Sequence, residues 1–234
     1  MLLLAIDTSG KNGSIALART SEQSADDVEI IEIMPLTGGT FSAQLIPQIA
    51  DLLSSREHTK YDIGALAVAS GPGSFTGLRI GLAAVKALGE ILNKPIAAVS
   101  LLEACIFESG AKGTNESVRA TKVMAALDAG RGEVYVGEYI VPADAAQTAR
   151  ERVLSRSELI EQAKGWEVVT PDSALAEVLR AAAVPVSLLA PPSAVTVARL
   201  GWRKIQAGET VTPGQLEANY VRRTDAEILE RIGS

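Results

Sequence analysis

Short apolar runs alternate with polar turns along this chain, and their spacing switches between strand and helix periods. Residues 2–6 are an apolar run ending in Asp7-Thr8-Ser9-Gly10-Lys11-Asn12-Gly13, and 14–18 are apolar again, which predicts a hairpin with a polar tip. A third strand follows at 28–34, with Glu29 and Glu32 as its polar members. Phe41, Leu45, Ile49 and Leu52 then recur at helical spacing opposite Gln44, Gln48 and Asp51, so 42–53 reads as a helix capped by Ser42. Pro47 lies near its start, where proline does least harm.

The next stretch organises the chain. Residues 63–69 are an uncharged apolar strand, followed by the turn Ser70-Gly71-Pro72-Gly73-Ser74-Phe75-Thr76-Gly77. A helix over 77–92 comes next, and its only charges, Arg79, Lys86 and Glu90, share one narrow stripe. A surface helix needs apolar residues on one stripe only. This one is apolar on two sides, so one side covers the sheet and the other meets a second layer or another protein. Small residues at Gly77, Gly81 and Ala84 would allow a close neighbour.

Residues 95–99 read as another strand, and 100–108 as a helix carrying Cys105. The composition of 109–117 (SGAKGTNES) is that of a linker, which divides the chain into lobes 1–110 and 111–234. A strand over 118–128 ends in Asp128, a glycine turn follows, and 133–141 alternates as a strand does. AALDAGRGEVYVGEY thus repeats the plan of LAIDTSGKNGSIAL: apolar strand, Asp, glycine turn, second strand. Residues 143–152 are a polar excursion. Helix, strand and helix follow at 156–164, 167–170 and 172–183, an extended run at 184–189, and a helix at 193–207. The tail from Pro213 begins extended and carries Arg222 and Arg223.

Bulk properties narrow the function. The 234 residues suffice for one large or two small cores. A hydrophobic content of 47% with 21% charged residues is that of a globular protein. The net charge of −6 argues against gripping nucleic acid alone, since phosphate contacts need clustered Lys and Arg. A single cysteine excludes an internal disulfide and a Cys-rich metal site. MLLLAID is short for a signal sequence, and no apolar run reaches the ~20 residues that span a bilayer, so a cytoplasmic protein is expected.

Two loops are candidates for phosphate chemistry. Asp7, Thr8 and Ser9 at a strand end, with Asp128 in the repeat, would suit a metal–nucleotide or simply cap turns. Gly71, Gly73 and Ser74 at a helix start would suit an anion, or form a tight turn with Ser74 as N-cap. The glycines match neither G-x-G-x-x-G nor a P-loop, so spacing favours the turn. His58, the only histidine, sits in a polar loop.

LLAIDTSGKNGSIAL, FSAQLIPQIADLL, SGPGSFTGLRIG, ALDAGRGEVYVGEY and NYVRR, in this order, resemble the TsaB (YeaZ) family. That resemblance implies a two-lobed α/β fold of the actin-like, ribonuclease H-like class, with mixed sheets flanked by helices. It implies a non-catalytic partner of TsaD-type transferases, which place threonylcarbamoyl on a tRNA adenosine beside the anticodon. TsaD proteins hold a metal through H-x-x-x-H; the matching positions here are Leu101 and Cys105, which cannot form that site. Phe41 stands where many relatives have His. The implied partners are a TsaD homologue and a TsaE-type ATPase, with tRNA met only through the complex, a homodimer when alone, and no membrane. The expected interface runs through Phe41, Leu45, Leu78, Gly81, Leu82, Ala84 and Val85. No metal and no cofactor are required, though the fold leaves ATP or ADP binding open. The alternative is an ATP-dependent phosphotransferase or ATPase using Asp7, Asp128 and the 71–74 turn. A peptidase would need a base beside Ser or Cys, which one loop histidine does not supply.

Overall fold

The computed structural model describes residues 1–21, 23–110, 121–141 and 150–221. Most of the expected linker (111–117) lies outside these residues, as do Arg222 and Arg223. Two five-stranded sheets carry the fold. The first contains β1 (Leu2–Asp7), β2 (Gly13–Thr20), β3 (Val28–Leu36), β4 (Ile63–Gly71) and β5 (Ile96–Ser100), in the order β3-β2-β1-β4-β5. The second contains β6 (Thr121–Gly130), β7 (Glu133–Val141), β8 (Arg150–Ser155), β9 (Glu167–Thr170) and β10 (Val186–Leu188), in the order β10-β9-β6-β7-β8. Each sheet is an antiparallel meander of three strands with two parallel strands added beside the first. The repeat read from the two Asp-turn hairpins therefore extends to the whole topology, and the fold is the actin-like, ribonuclease H-like one.

Side-chain size decides which helices lie on which face. Along β1 the larger Leu2, Leu4 and Ile6 point to one side and Leu3 and Ala5 to the other. The first side carries α1 (Phe41–Ser54) and α2 (Phe75–Leu92) through a core that includes Ile15, Leu17, Leu66 and Val68. The second side is lined with alanines, among them Ala16, Ala65, Ala67 and Ala97, and takes α6 (Ala194–Gln206). Gly201 brings α6 closest: a Cβ there would lie 2.5 Å from that of Ala67. Full burial of such helix faces contributes ~25 cal/mol for each Å² of apolar surface removed from water.

Helix α3 (Leu101–Glu108) is buried on two faces. Leu101 and Ala104 pack with α6 and the first sheet, while Leu102, Cys105 and Ile106 pack on the second. Helices α4 (Arg156–Gln162) and α5 (Ser173–Ala181) supply Leu159, Leu175 and Leu179 to the other side of the second sheet. Among the described residues no helix is long and apolar enough to cross a membrane.

Two readings are corrected and one holds. Strand β8 occupies the end of the stretch taken for a polar excursion, because its sequence RERVLS is that of a half-exposed edge strand with little apolar signal. Helix α1 starts one residue earlier than expected; Thr40 is its N-cap position and makes no side-chain cap bond, while Ser42 is an exposed residue inside the first turn. Ser74 does cap α2, its hydroxyl accepting from the Gly77 N–H.

Candidate functional site

The loop after β1 and the turn before α2 meet backbone to backbone. Ser9 turns back on Asp7, whose Oδ1 accepts from the Ser9 N–H at 2.9 Å and from its hydroxyl at 2.5 Å. The Ser9 carbonyl in turn accepts from the Ser74 N–H at 2.7 Å, and the Thr8 hydroxyl donates to the Gly77 carbonyl at 2.8 Å. Glycine makes this approach possible: a Cβ on Gly73 would sit 2.6 Å from the Ser9 oxygen, and one on Gly77 would overlap the Thr8 oxygen. Gly71 has φ +121°, which side chains other than glycine's rarely allow.

Asp7, Thr8, Ser9, Gly71, Gly73 and Ser74 are thus brought together, and largely satisfy one another. A phosphate seated at the start of α2 would compete with Ser9 for the Ser74 N–H. Burial pushes the Asp7 carboxyl above its ordinary value, with the Ser9 bonds working the other way. Asp128 lies in the second sheet at the end of β6, where it pairs with Arg156 at 3.3 Å and accepts from the Gly130 N–H. This arrangement suits turn-building better than a shared metal–nucleotide site, so no chemical step is assigned to it.

Asp7→Asn provides a check. Asparagine keeps the acceptor for Ser9 and removes a buried charge. Because burial raises the folded-state pKa, ionisation costs stability at neutral pH, and that cost disappears as pH falls below the ordinary carboxylate value. The variant should melt about 2–4 °C higher at pH 7, as ~1 kcal/mol gives in a protein of this size. The gain should shrink towards zero near about pH 4 in a Tm series across pH. A lower Tm at pH 7 would mean that the charge itself holds the loop.

Leu101 and Cys105, the two positions that the resemblance sets against a metal-binding pair, are core residues of α3. Burial, with a smaller contribution from Glu108, pushes the Cys105 thiol up to about 12, so it stays protonated.

The expected interface side chains face inward. Phe41, Leu45, Leu78, Leu82, Ala84 and Val85 are all buried within the first-sheet core, and Gly81 abuts the Thr8 hydroxyl rather than another helix. The physical reason is helix phase: the face that carries 78, 82 and 85 turns onto the sheet, and it buries small residues such as Gly81 and Ala84 along with the large ones. Outward, α1 presents Ala43, Ile46, Pro47 and Ala50, and α2 presents Thr76, Ala83 and Ala87, with Ile80 half-buried between them. Ile46 keeps 55% of its surface exposed. Positions 76, 80, 83 and 87 share that face at helical spacing, but the apolar residues of the opposite face keep the same spacing, so the letters do not mark which one looks out. Beside this face, an open cleft of about 490 Å³ runs between the β1–β2 tip and both helix starts, lined by Lys11, Asn12, Gly38, Ser42 and Thr76. Sequence reading missed it because its walls come from three separate loops.

At its amino end the outward face carries an aromatic cluster. The Arg79 guanidinium lies 3.7 Å over the Phe75 ring, and Tyr220 from the tail sits 5.5 Å from Phe75 and accepts from Arg79 Nε.

Comparison with known proteins agrees with this architecture. The sequence profile of the family described as TsaD, tRNA N6-adenosine threonylcarbamoyltransferase, matches residues 35–186. The tRNA threonylcarbamoyladenosine biosynthesis proteins TsaB of Bacillus subtilis and Escherichia coli are each 36% identical over 139 residues, 59% of this chain and 55% of theirs. The chain therefore spans just over half the length of these curated relatives. The structure of YeaZ from Pseudomonas aeruginosa superposes with a TM-score of 0.71 at 27% identity, covering 94% of this chain and 100% of that one. With the profile spanning more than half of its length, the chain belongs to the TsaD-type threonylcarbamoyltransferase family, on its TsaB (YeaZ) branch.

Proposed function

We propose that this protein is a non-catalytic subunit in forming N6-threonylcarbamoyladenosine on tRNA, and that it works by binding a TsaD-type transferase through the outward face of α1 and α2. The observation that carries this reading is the run of apolar side chains, most of them alanine, over two adjacent helices, Ala43, Ile46 and Ala50 on α1 and Ile80, Ala83 and Ala87 on α2. Small residues let two helix pairs approach closely, and an exposed apolar face of that kind is characteristic of an interaction surface. The names of the TsaB relatives point to the same modification. A TsaE-type ATPase is a further partner, tRNA is reached through the complex, and the protein works in the cytoplasm. When the transferase is absent, the same face meets a second copy in a two-fold pair.

Ala83→Arg tests it. Ala83 is exposed, so the variant should fold with an unchanged circular dichroism spectrum. In a packed interface the arginine leaves an unpaired buried cation, costing ~3 kcal/mol, or about a hundredfold in affinity. Co-purification with a TsaD-type protein and self-association in light scattering should both be lost. Leu82→Arg, aimed into the core, should unfold the protein instead. A folded Ala83→Arg that keeps both associations would overturn the reading.

A further inference from the structure

Glu151 on β8 is part-buried and gathers three neutral donors from three parts of the chain. The Ser100 hydroxyl, at the end of β5, donates to Oε1 at 2.5 Å, and the buried Tyr139 hydroxyl of β7 lies 3.5 Å from the same oxygen. The side-chain amide of Asn219 donates to Oε2. One carboxylate of the second sheet thus holds the first sheet and the tail together.

The tail segment 216–221 is a strap with defined seats. Leu216 is fully buried in the first-sheet core. The Asn219 N–H donates to the Ser70 carbonyl at 2.7 Å, at the end of β4. The Asn219 carbonyl lies 3.0 Å from where a Cβ on Gly71 would be, so the strap runs flush against that turn. Beyond it, Tyr220 reaches the Phe75–Arg79 pair at the start of α2. From Glu151 the connections therefore run through Asn219 to the edge of the outward helix face.

We infer that Glu151 is an inter-lobe latch: it seats the strap, and with it the Phe75–Arg79–Tyr220 cluster, in register with the second sheet. Its effect on partner capture rests on the partner-face reading above; its effect on the strap does not. A carboxylate can only accept, so the donor it faces must be the NH₂ of Asn219. That polarity makes the contact testable by exchange.

The expected outcomes differ by substitution. Asn219→Asp sets two carboxylates face to face and should unseat the strap. Glu151→Gln alone should be tolerated, because the Asn219 amide can turn over and accept. Combining Glu151→Gln with Asn219→Asp restores one donor and one acceptor and should reseat it. Hydrogen exchange of the strap amides, read by mass spectrometry on the full chain, should speed up about tenfold or more in Asn219→Asp and return close to the parent in the double variant. Parent-like exchange in Asn219→Asp, or a double variant that stays fast, would overturn the latch. Partner capture separates the two ideas. If the exchange pattern holds while Ala83→Arg still binds the transferase, the latch stands and the partner face falls. If Ala83→Arg loses the transferase while Asn219→Asp exchanges like the parent, the latch falls and the partner face stands.

Discussion

Gly77→Ala will destabilise the protein by ~3 kcal/mol and lower its Tm by about 6–12 °C. The new methyl group would overlap the Thr8 carbonyl oxygen, which is backbone and cannot swing aside. Relief requires α2 to move away from the end of β1. That movement breaks the buried bond from the Thr8 hydroxyl to the Gly77 carbonyl and strains the one from Ser74 to Ser9. Helix propensity works the other way, favouring alanine by ~1 kcal/mol, so the steric and hydrogen-bond costs must exceed it for the loss to appear. Gly214→Ala is the matched control: nothing lies within 4 Å of its Cβ position, and its effect should stay within about 0.5 kcal/mol. Thermal melts of both variants decide the matter. A Gly77→Ala protein as stable as the parent would show that the two loops are not clamped together.

Lys204→Met will be comparably severe at pH 7, costing ~3 kcal/mol. Lys204 on α6 lies 3.0 Å from Glu103 on α3, with side chains only 19% and 15% exposed, and 3.4 Å from Glu209. Burial already raises the Glu103 carboxyl above its usual value despite the lysine beside it. Removing the cation leaves that carboxylate buried without compensation. The cost is felt where Glu103 must ionise and fades as pH falls through its raised folded-state value. The melting curves of variant and parent should therefore converge towards about pH 4.5. Adding Glu103→Leu should recover most of the loss at pH 7, since a buried pair replaced by apolar side chains is often neutral. A double variant no better than Lys204→Met alone would mean that the lysine acts through its packing.

Most of the architecture was legible because strands and helices in this chain keep clean periods. The strands ending in Asp7 and Asp128, each opening a hairpin, declared the repeat, and the repeat pointed to two lobes of common design. Strand β8 was not legible: Arg150, Glu151 and Arg152 carry its half-exposed edge positions, and Val153 and Leu154 alone give no alternation. The facing of α2 was not legible either. Leu78 and Ile80, or Ala83 and Ala84, look interchangeable as letters, and only the shape of the sheet beneath assigns them to inside or outside. The partners of Glu151 were invisible for a different reason. Ser100, Tyr139 and Asn219 are 51, 12 and 68 positions away, and no local pattern marks a contact at such separations.

The alanine-lined face of the first sheet has a consequence for how the chain is born. Its strands are complete by Ser100, but α6, which covers that face, does not end until Gln206. During synthesis the sheet is made well before its cover, and the intervening hundred or so residues must emerge first. At about 5–20 residues per second, the bare face waits some seconds for its helix. Long-range closure of this kind slows folding and leaves apolar surface open in the meantime. Alanines suit that interval: they present little apolar area to stray partners, yet leave the shallow groove into which Gly201 finally settles.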